Sequence, residues 1–133
     1  MKIAIIGPET CQKTKTVKEL LFKVRQEEKN AIILSGGNKT GIEYDVKKYA
    51  LLFEFDYQEY NPSYTGWNMY SFLKEEYFNK GFHPTQLIDR YRILVRNCDK
   101  LFIGYEPESK SWKPLYESTK RYAEKLGKEV VFI

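Results

Sequence analysis

The sequence is poor in the residues that build many active sites. It holds one histidine, His83, and two cysteines, Cys11 and Cys98. The cysteines lie far apart with no metal-ligand spacing, so neither a zinc site, a histidine-based triad nor a disulfide framework is expected, and no metal or cofactor is assigned. Apolar runs stop at four or five residues, too short to span a bilayer, and no membrane partner is expected. Met1 leads directly into Ile3-Ala4-Ile5-Ile6-Gly7 without a secretory pattern, which gives the expectation of a cytoplasmic protein. Repeats, low-complexity tracts and linkers are missing. So is a strong charge of one sign: Lys plus Arg is 22 against 18 for Asp plus Glu. A net +4 is weak ground for a nucleic-acid partner.

What is present is an ordinary globular balance, 42% hydrophobic and 30% charged over 133 residues. One domain, 1–133, is expected. Aromatics reach 16% and concentrate in an insert at about 61–83, with Tyr64, Trp67, Tyr70, Phe72, Tyr77, Phe78 and Phe82. A short helix is expected within 68–79. Tyr64 and Trp67 are candidates for stacking on a nucleobase. The alternative is a self-packed flap or a dimer interface, where Tyr and Trp are also enriched.

Outside the insert, short apolar runs alternate with helical periodicity. Ile3–Ile6, Ala31–Leu34, 55–60, Leu101–Gly104 and Val130–Ile133 read as strands. Val17, Leu20, Leu21 and Val24 share one face of a helix over 12–27. A second helix opens at Thr40, where Thr40 with Glu43 makes a capping-box pattern, and turns Ile42, Val46, Tyr49, Ala50 and Phe53 inward. A third opens at Thr85 with Leu87, Ile88, Tyr91, Leu94 and Val95 inward. The last carries Leu115, Tyr122, Ala123 and Leu126 and is capped by Gly127. Strands apolar on both faces imply a covered parallel sheet. The expected fold is therefore α/β: a three-layer Rossmann-like sandwich of about five parallel strands flanked by about four helices. Ligands of such sheets bind beyond the carboxyl ends of the strands.

Ser35-Gly36-Gly37-Asn38-Lys39-Thr40-Gly41 joins the second strand to a helix N-terminus. Glycines there let backbone amides approach an anion, and the helix dipole favours negative charge. A tight turn with a helix cap is the plainer alternative. Gly7-Pro8-Glu9-Thr10-Cys11-Gln12-Lys13-Thr14 departs from a Walker A phosphate loop at Gln12, where glycine is required. It stays open as a degenerate P-loop kinase, with Lys13 either near a ligand or simply solvated. Cys11 reads as a structural cysteine, and Asp99 as structural at the amino end of the fourth strand.

Residues 35–50, SGGNKTGIEYDVKKYA, resemble the SGG-x-x-G-[IA]-D-x-x-A segment of the SLOG superfamily, which includes DprA and the LOG phosphoribohydrolases. Arg90 to Asp99 followed by LFIGYEPESKSWKP, the ending AEKLGKEVVFI and the opening IGPET resemble further blocks of its small stand-alone members. The likeness therefore runs through nearly the whole chain in order. Glu43 stands where many relatives carry Asp, and Glu9 where an Arg is common.

The loop's own Lys39 and Thr40 add donors, and the resemblance implies that Gly36, Gly37 and Gly41 hold phosphate, assisted by Ser35, Asn38 and Thr40. Gly7, Glu9 and Thr10 would line the first loop. Arg90 would reach the site from the third helix, unless it is a surface arginine paired with Asp89 or a neighbouring carboxylate. The function implied is binding of a nucleotide or nucleotide-derived signalling ligand, as a sensor, carrier or sponge, with a homodimer as the usual assembly. Whether the protein is an enzyme stays open. The alternative is a nucleoside-monophosphate N-glycosidase in which Glu43 acts at the sugar; DprA-like DNA processing is a further one.

Overall fold

The computed structural model describes residues 1–62, 67–79, 81, 83, 85–104 and 112–133. The first apolar run forms β1, Lys2–Ile6, and its side chains divide by parity. Ile3 and Ile5 enter one core with Val17, Leu21, Ile42 and Val46; Ala4 and Ile6 enter a second with Tyr91, Leu94, Val95 and Ala123. This period of two, with both parities buried, is what a strand in the middle layer requires. On the first face lie α1, Thr14–Glu27, and α2, Ile42–Leu52; on the second lie α3, Thr85–Asn97, and α4, Trp112–Lys125.

The remaining strands are β2, Ile32–Ser35; β3, Asp56–Glu59; β4, Lys100–Ile103; and β5, Glu129–Phe132. All neighbours pair in parallel in the order β3-β2-β1-β4-β5. Ala4 stands opposite Leu34 on one side and Leu101 on the other. The chain steps outward from β1 to β3, then returns across β1 to build β4 and β5. That reversal places the two helix pairs on opposite faces, and the parallel direction of the strands puts the loops after β1 and β2 on one rim. At the opposite rim, Asp99 Oδ2 accepts the Lys2 amide at 2.7 Å, the structural role expected of it. Gly127 ends α4 with φ +74, as expected, and Lys128 N–H reaches back to Ala123 O at 2.9 Å.

Several local expectations are corrected. α1 begins at Thr14, not 12. The Thr40–Glu43 capping box does not form: Gly41 is the N-cap of α2 and no side chain caps it. Ile88 and Leu126, expected inside, are exposed. Lys13 Nζ donates to Ile133 O at 2.8 Å, beside β5, so the loop after β1 lacks the lysine geometry of a P-loop. Cys11 and Cys98 are both buried, and burial pushes the Cys98 thiol up to about 11.

The insert departs from the alternation for a reason the backbone supplies. Glu59 N–H donates to Tyr70 O at 2.9 Å and Phe72 N–H to Glu59 O at 2.7 Å. Residues 70–72 thereby cover the outer edge of β3, satisfying groups that an edge strand would otherwise expose. Tyr57 packs edge-on to Tyr70 and Tyr60 stacks on Phe72, ring centres 5.7 and 4.6 Å apart. Glu75–Asn79 is a short 3-10 helix. Tyr64 lies outside the described residues.

Candidate ligand cavity at the carboxyl rim

The glycine loop ends at Gly41, whose φ of +78 and close approach to Pro8 and Glu9 both require glycine. An added Cβ would stand 2.5 Å from Pro8 O and 2.6 Å from Glu9 O. Thr40 Oγ1 donates to Glu9 O at 3.1 Å. The loops after β1 and β2 are therefore fastened to each other at the start of α2.

Beneath that junction lies Glu43, fully buried in the first turn of α2. Its Oε1 accepts the Asn38 amide at 3.0 Å; its Oε2 accepts the Gly7 amide at 3.4 Å and the Tyr91 hydroxyl at 2.6 Å. Burial raises its carboxyl above the usual range, opposed by the nearby Arg90 guanidinium and then by the three hydrogen bonds. The expected anion cradle is thus partly filled from inside. The amides of Gly7 and Asn38 hold the protein's own carboxylate.

Arg90 is buried and turned inward, not paired with Asp89 at the surface. Nη1 donates to Gly36 O at 2.9 Å and Nη2 to Asn38 Oδ1 at 3.2 Å, which fixes the shape of the glycine loop from α3. Tyr91 also meets Tyr116 of α4, hydroxyl to hydroxyl, at 3.3 Å. One polar cluster therefore joins three helices and two loops.

Above it opens a cavity of about 540 Å³, within the range of small-ligand sites. Gly37, Asn38 and Lys39 form one wall; Leu87 and Arg90 of α3 form another. Glu9 approaches from the loop after β1, and Tyr44 and Lys47 from α2. The floor is Glu59 and Asn61 at the end of β3, with Pro62 and Asn68 beyond.

Five sequence candidates therefore line this space: Glu9, Gly37, Asn38, Lys39 and Arg90. The others serve elsewhere. Ser35 Oγ, buried, donates to Ile5 O at 2.7 Å and ties β2 to β1. Gly7, Gly36, Thr40, Gly41 and Glu43 build the junction below the cavity, and Thr10 is exposed outside it. Trp67 is exposed next to Asn68 without lining the cavity.

Sequence reasoning missed Tyr44, Lys47, Glu59, Asn61 and Asn68. The i,i+3 spacing of Tyr44 and Lys47 on the outer face of α2, and the Glu-x-Asn pattern at 59–61 where β3 ends, were the available signals. Glu59 is nearly inaccessible at its carboxylate. It accepts from Tyr57 Oη at 2.9 Å, Asn61 Nδ2 at 2.8 Å and Asn68 Nδ2 at 2.7 Å, with Lys47 Nζ at 3.3 Å. Burial opposes its ionisation, but those three donors and the Lys47 ammonium outweigh burial and hold it below the usual carboxylate range. Four donors fill the acceptor capacity of a carboxylate. Among the described residues, neither Glu9 nor Lys39 has a salt-bridge partner. No group among them could hold a metal ion, and no helix is long and apolar enough to cross a membrane.

No protein-family model matches the chain, and no curated protein matches it in sequence. Solved structures do match in shape. The molybdenum cofactor binding protein of Rippkaea orientalis superposes with a TM-score of 0.72 at 19% identity, over 98% of this chain and 74% of its own. The Moco carrier protein of Chlamydomonas reinhardtii gives 0.68 at 17%, over 99% and 74%. DNA processing protein A of Helicobacter pylori gives 0.67 at 19%; there 99% of this chain spans 64% of that protein. These likenesses show the fold. It is a Rossmann-like α/β fold shared with the two molybdenum-cofactor proteins and with DNA processing protein A.

Proposed function

We propose that this chain is a small-ligand binding or carrier module that takes a phosphorylated molecule of nucleotide size into the cavity at its carboxyl rim. The observation that carries the reading is the convergence of Lys39 and Arg90 with the glycine loop on one space of about 540 Å³. A mononucleotide fits such a volume. Lys39 supplies a positive charge with no salt-bridge partner among the described residues, and Arg90 holds Gly36 and Asn38 in place from behind. The names of the structural neighbours, a molybdenum cofactor binding protein and a Moco carrier protein, agree with a binding role.

Geometry favours binding over hydrolysis by Glu43. That carboxylate has both oxygens engaged inside the protein and does not line the cavity. A glycosidase carboxylate must reach the sugar.

Native mass spectrometry of the protein purified from cells tests the reading, followed by titration with AMP and inorganic phosphate. A retained phosphorylated molecule, or phosphate-ester binding that weakens about tenfold or more in Lys39→Ala, is the expected result. Binding of neither probe by the folded protein would overturn it.

A further inference from the structure

The two carboxylates that line the cavity differ in kind. Glu59 is saturated by Tyr57, Asn61, Asn68 and Lys47. Glu9 is exposed and has no salt-bridge partner among the described residues. Its backbone is nevertheless held firmly, with its carbonyl taking the Thr40 hydroxyl and lying against Gly41. Glu9 is therefore anchored beside the glycine loop, and it lines the same cavity as Lys39.

An ionised carboxylate only accepts hydrogen bonds, and it repels a phosphate placed against it. Its partner must be a donor group of the same ligand, close to the phosphate yet distinct from it. In a pentose phosphate that group is the pair of neighbouring ring hydroxyls, whose two O–H donors can meet the two carboxylate oxygens. A carboxylate facing a ribose hydroxyl beside a glycine-rich phosphate loop is a recurrent solution in α/β sheets.

We propose that Glu9 is a specificity residue that binds the vicinal hydroxyls of a ribose phosphate and so selects ribo- over deoxyribo-ligands. This rests on the reading of the cavity as a phosphorylated-ligand site. Because Glu9 is exposed, its replacement leaves the cores untouched.

The test uses the full chain with three probes: ribose 5-phosphate, 2-deoxyribose 5-phosphate and inorganic phosphate, titrated into wild type, Glu9→Gln and Glu9→Ala by NMR shift or calorimetry. Wild type is expected to prefer the ribose compound on the order of 10- to 100-fold, the range of a hydrogen bond to a charged group. In Glu9→Ala that preference should fall to within a few-fold and in Glu9→Gln it should weaken, while in both inorganic phosphate binds more tightly because a repelling charge is gone. Phosphate binding without sugar discrimination in wild type would overturn the role of Glu9 alone. So would a preference that survives in Glu9→Ala, which assigns the selectivity to another hydroxyl-reading group. If no probe binds the folded wild type, the phosphorylated-ligand reading falls and this inference falls with it.

Discussion

Tyr91 donates its hydroxyl to Glu43 Oε2 across 2.6 Å, joining α3 to the first turn of α2 in a space that water does not reach. The same carboxylate holds the amides of Gly7 and Asn38. The pair is therefore the point at which the two rim loops are fixed to the body of the protein. Tyr91→Phe keeps the ring and removes one donor from a buried acceptor. It is expected to cost about 1–3 kcal/mol in urea denaturation. An unchanged midpoint would show that the junction does not depend on this bond.

The two buried carboxylates pull the pH dependence of stability in opposite directions. Glu43 has a folded-state pKa above its ordinary value of 4.5. The folded state therefore binds the extra proton between the two values, and this contribution is present below 4.5 and lost as pH rises through the folded pKa. Glu59 is shifted down from 4.5. Its contribution is present above 4.5 and lost as pH falls through its folded pKa. Denaturation of wild type across pH 3–8 should show both limbs. Glu59→Gln should flatten the acid limb and Glu43→Gln the other; identical profiles for all three proteins would refute both assignments.

Ile42 fills the space where α2 meets the ends of β1 and β4, and a Cβ on Gly104 would run into its Cδ1. Gly104→Ala is expected to destabilise by about 1–3 kcal/mol through overpacking. Removing the offending methyl with Ile42→Val in the same chain should recover part of the loss. A double-mutant cycle measures the coupling, and simple additivity would mean the two residues do not press on each other.

Arg90→Lys preserves charge but loses the fork that spans Gly36 O and Asn38 Oδ1. Affinity for AMP is expected to fall about tenfold or more, with hydrogen exchange at residues 36–39 speeding up. A variant that binds as wild type would remove Arg90 from the site.

The chain order of strands and helices was legible because each element must bury an apolar stripe of its own period. Ile3–Ile6 and the Val17, Leu21, Val24 face carry that requirement in their spacing. The same logic misassigned Ile88 and Leu126, which have helical spacing but are exposed. The glycine loop was visible as a motif, and Arg90 as part of a second one. Glu43 was read as a cap on Thr40 or as a carboxylate at a sugar; two of its three hydrogen-bond partners, Gly7 and Tyr91, are 36 and 48 positions away.

What the sequence determined by itself was the parallel sandwich and the loops at its carboxyl rim, because periodicity and turn chemistry are local properties. The tertiary structure decided which rim residues face open space and which face each other. It closed Glu43 into the interior, saturated Glu59 and, among the described residues, left Glu9 and Lys39 without a salt-bridge partner. The physical reason is that a side chain's charge state and availability depend on desolvation and on donors brought in from distant segments, and neither is written in its neighbours along the chain.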